Sequence, residues 1–294
     1  RFEIEEGNAM SCAGAFGKMS EHVGVPVLPM MTIYDFFIKR ALDQYFYNLY
    51  WRSGFILVGT PSGVTLSPEG AQHSWKSDIQ IPNGITWEPA FALEMDWILA
   101  DAVRRHFTRD NLDREGVLIR AVTRGIEQKE MLGRIKLQTR FLNQDDAEIL
   151  EITRVHVLQG GYWLVHFEGT EGYAPGDNVV HIVVMGALVP EALAASDKLR
   201  EQGIFANILV VTSPDLLAGT LARENNYKHL KETLGVNSTL YINSSKSVPV
   251  GTMSINGGRT QVASDSKAAL LSIRGSRIPL VAVLDGEPGL LDNL

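Results

Sequence analysis

Residues 54–73, GFILVGTPSGVTLSPEGAQH, pass from an apolar run into a Gly/Ser/Pro loop that carries Glu69 and His73. A carboxylate and an imidazole four residues apart can share a site and exchange protons near neutral pH. The same pair also suits an ordinary loop salt bridge. A second acidic pair, Glu5 and Glu6, stands before a stretch rich in Ala, Gly, Ser and Met, where carboxylates complement the N-terminal dipole of a helix. His156 and His166 have no neighbouring His or carboxylate at metal-ligand spacing and read as structural. Asp285-Gly286-Glu287 has the composition of a turn. The single cysteine, Cys12, excludes an internal disulfide and a Cys-cluster metal site, and reads as buried packing.

The elements that must position these groups alternate. Phe55–Val58 is a short apolar run bounded by turn residues, as expected for a buried parallel strand, and open α/β sheets bind ligands where such strands end. Ala9–His22 reads as a helix whose small residues allow close approach to a neighbour. Met30–Tyr34 reads as a strand after the break at Pro26–Pro29, Asp35–Ser53 as an aromatic-rich helix, Trp87–Phe107 as an amphipathic helix and Val117–Val122 as a further strand. His156 and His166 fall on strand-like segments. From His181 the alternation resumes with strands at 181–185 and 205–211, helices at 189–202 and 215–223, short strands at 261–263 and 279–284, and a helix at 266–273. The expectation is an α/β fold of two doubly wound, mostly parallel-sheet domains. Their bounds read as 1–155 and 179–294, with 156–178 as a linker or small β excursion.

The 294 residues suffice for roughly two domains of about 150 residues each. The net charge of −7 argues against a nucleic-acid binder, which needs clustered Lys and Arg. No apolar run approaches the roughly 20 residues that span a bilayer, so no membrane role and a cytoplasmic setting are expected. Gly-x-Gly-x-x-Gly, Walker, His-Glu-x-x-His and Gly-x-Ser-x-Gly motifs are all missing. The opening at Arg1 and the close on Gly-Leu-Leu-Asp-Asn-Leu suggest a piece of a longer protein.

Four blocks together resemble the thiamine-diphosphate enzymes of the transketolase-like family, and within it the single-chain bacterial pyruvate dehydrogenase decarboxylating components. They are Glu5/Glu6-Gly-Asn-Ala-Met, PVLPMMTIYDFFIKR at 26–40, GFILVGTPSGVTLSPEGAQH at 54–73 and IPNGITWEPAFALE at 81–94. The resemblance is strong over residues 1–125 and weaker behind, where 179–211 is similar to the start of a transketolase C-terminal domain.

The resemblance implies a set of roles. A glutamate at the start of the first helix would bond the pyrimidine N1′ of the cofactor; local pattern favours Glu5, spacing to the aromatic block favours Glu6, and Glu5 is the preferred reading. Tyr34 and Phe37 would cup the pyrimidine ring. Glu69 and His73 would face a 2-oxo acid substrate. The family's Gly-Asp-Gly…Asn element for diphosphate and Mg²⁺ is absent, so those ligands are expected outside this segment, in a missing N-terminal portion. Ser74–Asp78 lacks the further histidines of the pyruvate enzymes. The implied reaction is decarboxylation of a small 2-oxo acid with acyl transfer to a lipoyl-bearing acyltransferase, in a homodimer. Two alternatives stand beside it. Ketol transfer between sugar phosphates would need a basic cluster, for which Arg120 and Arg124 are the candidates; a non-catalytic interaction module would bind no cofactor.

Overall fold

The computed structural model describes residues 4–62, 84–108, 115–217, 253–255, 258–260 and 278–285. Its first sheet has four parallel strands, β1 (Met30–Ile33), β2 (Phe55–Gly59), β3 (Gly84–Trp87) and β4 (Gly116–Arg120), in the order β1-β2-β4-β3. Successive side chains of a strand point to opposite faces, and here both faces are covered. Phe55, Leu57 and Leu118 join Met10, Ala13, Tyr45 and Leu49 on one side, beneath helices α1 (Glu6–Gly17) and α3 (Leu42–Tyr50). Ile56, Ile85 and Ile119 face Ile98 and Ala102 of α4 (Ala92–Thr108) on the other.

The small residues of α1 act as expected. A Cβ on Gly14 would lie 1.9 Å from the Asn48 side chain, and Asn48 Nδ2 donates to the Met10 carbonyl at 2.8 Å. Close approach of α1 and α3 therefore requires glycine at position 14. The helix stops at Gly17, and a one-turn helix, α2 (Met19–Val23), ends on Gly24 in the left-handed conformation.

The second sheet has the order β10-β6-β7-β5, built from β5 (Gly161–Val165), β6 (Val179–Met185), β7 (Phe205–Val211) and β10 (Leu280–Val283). Three strands are parallel and β5 is antiparallel to β7. Helices α5 (Lys129–Ile135), α6 (Asp146–Val157), α7 (Val189–Glu201) and α8 (Pro214–Leu217) accompany it, and β8 (Met253–Ile255) pairs with β9 (Gly258–Thr260) in a separate antiparallel ribbon. A reciprocal capping box between Asp145 and Glu148 starts α6. The fold is the expected α/β arrangement with mostly parallel sheets. One apolar cluster runs through both sheets, from Ile56 and Ile119 through Met131 and Ile149 to Ile182, Ile208 and Val210.

Several local expectations need correction. Asp35–Ser53 is not one α-helix but a 3-10 helix, Asp35–Ala41, followed by α3. The Asp35 carboxylate, which could have capped an α-helix, turns inward to Arg120 instead, and its turn closes with Phe37 N–H donating to the Tyr34 carbonyl. The helix expected over Trp87–Phe107 starts five residues late, because Trp87 ends β3 and Pro89 restrains Glu88 to an extended backbone. His156 lies on α6, not on a strand. Cys12 is half-buried rather than fully buried. The strand and helix expected at 261–263 and 266–273 lie outside the described residues.

Candidate active site

Tyr34 follows the last residue of β1, so it stands at the carboxyl edge of the first sheet, where open α/β sheets place ligands. Tyr34 is 58% exposed, and its ring meets Phe37 edge-to-face with centroids 6.0 Å apart. Arg40, one turn along the 3-10 helix, lays its guanidinium 3.7 Å from the Phe37 ring centroid, within cation–π range. Its Nη1 also reaches Glu6 Oε1 at 3.3 Å. Glu6, Arg40, Phe37 and Tyr34 thus form one continuous line, brought together from the start of α1 and the segment after β1.

Glu5 behaves differently. It is exposed and accepts from Asn8 Nδ2 of its own helix at 2.8 Å. Glu69 and His73 lie outside the described residues.

Behind this line sits a buried ionic cluster that sequence reasoning missed. Arg120, the last residue of β4, donates through Nε and Nη2 to the two Asp35 oxygens at 3.4 and 3.3 Å, and through Nη1 to Glu88 Oε2 at 2.8 Å. All three side chains are almost entirely withdrawn from water. Burial pushes the carboxyl groups of Asp35 and Glu88 above the ordinary range, against the opposing attraction of Arg120. Burial also works against the charge on Arg120, but Glu88 and Asp35 outweigh it and hold the guanidinium above its usual value. Glu88 Oε1 has no hydrogen-bond partner among the described residues.

The cluster also meets the second sheet. Glu88 N–H donates to the carbonyl of Thr212, just past β7, at 2.9 Å, and Gly186, just past β6, is packed so closely that a Cβ would lie 2.4 Å from Glu88 Oε1. The Asp285 charge, two residues past β10, contributes to the raised pKa of Glu88. Carboxyl ends of strands from both sheets therefore converge on Glu88.

Two further buried carboxyl groups bridge the sheets. Glu94, in the first turn of α4, accepts from Ala90 N–H at 2.6 Å, Phe91 N–H at 3.1 Å and the Tyr162 hydroxyl at 2.6 Å. Burial raises its pKa to about 7 despite these donors. Asp215 accepts from Thr86 N–H at 2.8 Å and is likewise raised by burial to about 7.

Neither arginine considered for a sugar phosphate is available as expected. Arg120 is committed to Asp35 and Glu88, and Arg124 donates to the Ala187 carbonyl at 3.0 Å and to Glu191 at 2.8 Å. A cavity of about 20 Å³ beneath α4, bounded by Asp101, Arg105, His106 and Glu115 among others, holds one water at most. No group of three or more potential metal ligands occurs among the described residues. No helix among them is long and apolar enough to cross a membrane.

No family model matches the chain. A pyruvate dehydrogenase E1 component of Buchnera aphidicola subsp. Schizaphis graminum is 27% identical over 143 residues, which cover 42% of this chain and 16% of that protein. The pyruvate dehydrogenase E1 component of Cupriavidus necator is 35% identical over 111 residues, 35% of this chain and 12% of that one. Among solved structures, transketolase from Campylobacter jejuni superposes with a TM-score of 0.51 at 15% identity, covering 79% of this chain and 30% of its own. The fold is transketolase-like. The family resemblance read from the four sequence blocks is thus met by sequence relatives of one kind and a structural relative of the other. The chain matches less than a fifth of the length of these pyruvate dehydrogenase relatives.

Proposed function

We propose that this chain supplies the pyrimidine-side half of a thiamine diphosphate site in an enzyme that decarboxylates a 2-oxo acid. The observation that carries the reading is the line Glu6–Arg40–Phe37–Tyr34 at the carboxyl edge of the first sheet. The residues fit such a group in kind: an accessible aromatic ring, a second ring beside it and a carboxylate one side chain away. Glu6 is the better choice for the N1′ acid, because it is tied to the aromatic pair while Glu5 bonds back to its own helix.

Bound thiamine diphosphate would supply an acidic carbon and an electron sink for loss of CO₂. The protein's part is positioning and proton control. Tyr34 and Phe37 offer π-faces for a heteroaromatic ring, and the Glu6 carboxyl group holds a proton at N1′. Glu69 and His73 are proposed to move protons at the substrate. The diphosphate and Mg²⁺ ligands belong to the portion outside this segment, and transfer of the acyl group to a lipoyl-bearing acyltransferase, a homodimeric assembly and a cytoplasmic setting complete the proposal. The domain bounds 1–155 and 179–294 are part of the proposal, with 156–178 between them contributing β5 to the second sheet.

Ketol transfer is the weaker reading, since Arg120 is buried against Asp35 and Glu88 and Arg124 is paired with Glu191. The test is thiamine diphosphate titration of the full-length protein by near-UV circular dichroism, followed by assays of CO₂ release from 2-oxo acids and of ketol transfer. Saturable binding with CO₂ release supports the proposal. Binding with ketol transfer alone moves it to the second reaction, and failure to bind leaves a non-catalytic module.

A further inference from the structure

We infer that Arg120 is a positioning residue for the aromatic pair Tyr34 and Phe37, acting through Asp35, and that Glu88 ties this positioning to the second sheet. The inference rests on the proposed site for its functional meaning, but its geometry stands alone. Asp35 lies between the two aromatics in sequence, is 0% exposed and opens the 3-10 helix that carries Phe37. No side chain caps that helix start, so the grip on Asp35 is what fixes the direction in which the turn leaves β1. Arg120 supplies the grip with two nitrogens, one to each carboxylate oxygen, and a guanidinium fork fixes orientation as well as position.

The surrounding backbone is shaped for this contact. Gly59 pairs in register with Arg120, and a Cβ there would lie 2.6 Å from Asp35 Oδ1 and 2.9 Å from Ile38 Cδ1. The third nitrogen of Arg120 holds Glu88, whose backbone N–H is bonded to Thr212 and whose carboxylate is pressed against Gly186. A shift of the second sheet relative to the first must therefore pull on Glu88, then Arg120, then Asp35, and so on the turn between Tyr34 and Phe37.

The experiment uses full-length protein labelled with 3-fluorotyrosine, with the Tyr34 signal assigned by Tyr34→Phe. It compares wild type with Arg120→Gln and, as a control for general loosening, with Ser196→Ala, which removes a buried hydrogen bond in the second sheet far along the chain. The inference requires the Tyr34 fluorine resonance to move in Arg120→Gln but not in Ser196→Ala. It also requires the thiamine diphosphate dissociation constant of Arg120→Gln to rise about tenfold, which corresponds to roughly 1.4 kcal/mol. If Arg120→Gln does not fold, the neutral triple variant Asp35→Asn/Glu88→Gln/Arg120→Gln is read in the same way. An unmoved Tyr34 signal, an equal shift in Ser196→Ala, or a moved signal with unchanged cofactor affinity overturns the inference. Should wild type bind no thiamine diphosphate, the proposed function fails and the fluorine spectra alone decide whether Arg120 orients the pair.

Discussion

The Tyr162 hydroxyl donates to Glu94 Oε1 at 2.6 Å, joining β5 of the second sheet to the first turn of α4 over the first. Both groups are buried, and Glu94 titrates near 7 rather than at the ordinary carboxyl value. Its folded pKa is raised, so its contribution to stability is complete below the unfolded value near 4.5 and is lost as pH climbs through about 7. Asp215 has the same sign, from an ordinary value of 3.8 to about 7. Urea unfolding at pH 5 and pH 8 is expected to show Glu94 alone removing about 2.5 kcal/mol of stability over that interval. Glu94→Gln flattens the pH dependence; an unchanged slope would show that Glu94 titrates normally.

The histidines of the second sheet work in the opposite direction. His181 contacts the Trp163 ring at 5.1 Å and Asn207 Nδ2 at 3.2 Å, and burial lowers its pKa to about 4. His166, stacked on Trp163 at 4.7 Å, falls to about 3 through burial first and then the nearby charges of Arg140 and His181. A lowered histidine pKa means the unfolded chain takes up the proton first, so stability declines as pH falls from about 6.5 toward 4. His181→Gln is expected to shift the acid unfolding midpoint to lower pH, followed by circular dichroism. With the carboxyl groups above, this leaves a stability maximum on the mildly acidic side of neutral.

Gly186 is a third point of test. Its φ of +49° favours glycine, and a Cβ would collide with the buried Glu88 carboxylate. Gly186→Ala should cost about 2 kcal/mol or more through backbone strain and displacement of a buried ion. Because the strain and the collision are separate, Gly186→Ala should still destabilise the protein when added to Glu88→Ala, with Glu88→Ala alone as the reference. No further loss in thermal melts would show that the contact alone matters.

Glu5 and Glu6 can be separated directly. In the full-length protein, Glu6→Ala is expected to lower thiamine-dependent activity about 100-fold or more, the range of a lost proton-transfer group. Glu5→Ala is expected to leave activity close to wild type, since its carboxylate bonds back to Asn8 of its own helix. The reverse pattern in steady-state rates would move the acid to Glu5. Loss of the single Arg40–Glu6 pair in Glu6→Ala should change the melting temperature little.

What could be read from the sequence was what is local. Apolar runs such as Phe55–Val58 and Phe205–Val211 are buried strands because continuous Val, Ile and Leu suit a sheet covered on both faces. The glycines of α1 announced close packing for a similarly local reason. The Asp35–Arg120–Glu88 cluster was hidden, because its members are 85 and 32 residues apart and nothing in their neighbourhoods marks them as partners. Arg120 at the end of an apolar strand was a candidate for a phosphate-binding cluster, whereas it is buried against Asp35 and Glu88. His156 was expected on a strand-like segment, but the Asp145 capping box decides for helix. The β5 strand was obscured by its Gly-rich flanks, and its reversed direction depends on β7, some 40 residues onward.

The apolar cluster that runs unbroken from Ile56 to Val210 bears on how the molecule can be divided. Severing the chain between the halves would leave each with a raw, greasy wall, Ile85 and Ile119 on one fragment and Leu164, Ile182 and Ile208 on the other. Such fragments should clump when made separately and recombine when made together, so any attempt to dissect this protein should begin with co-production of both pieces.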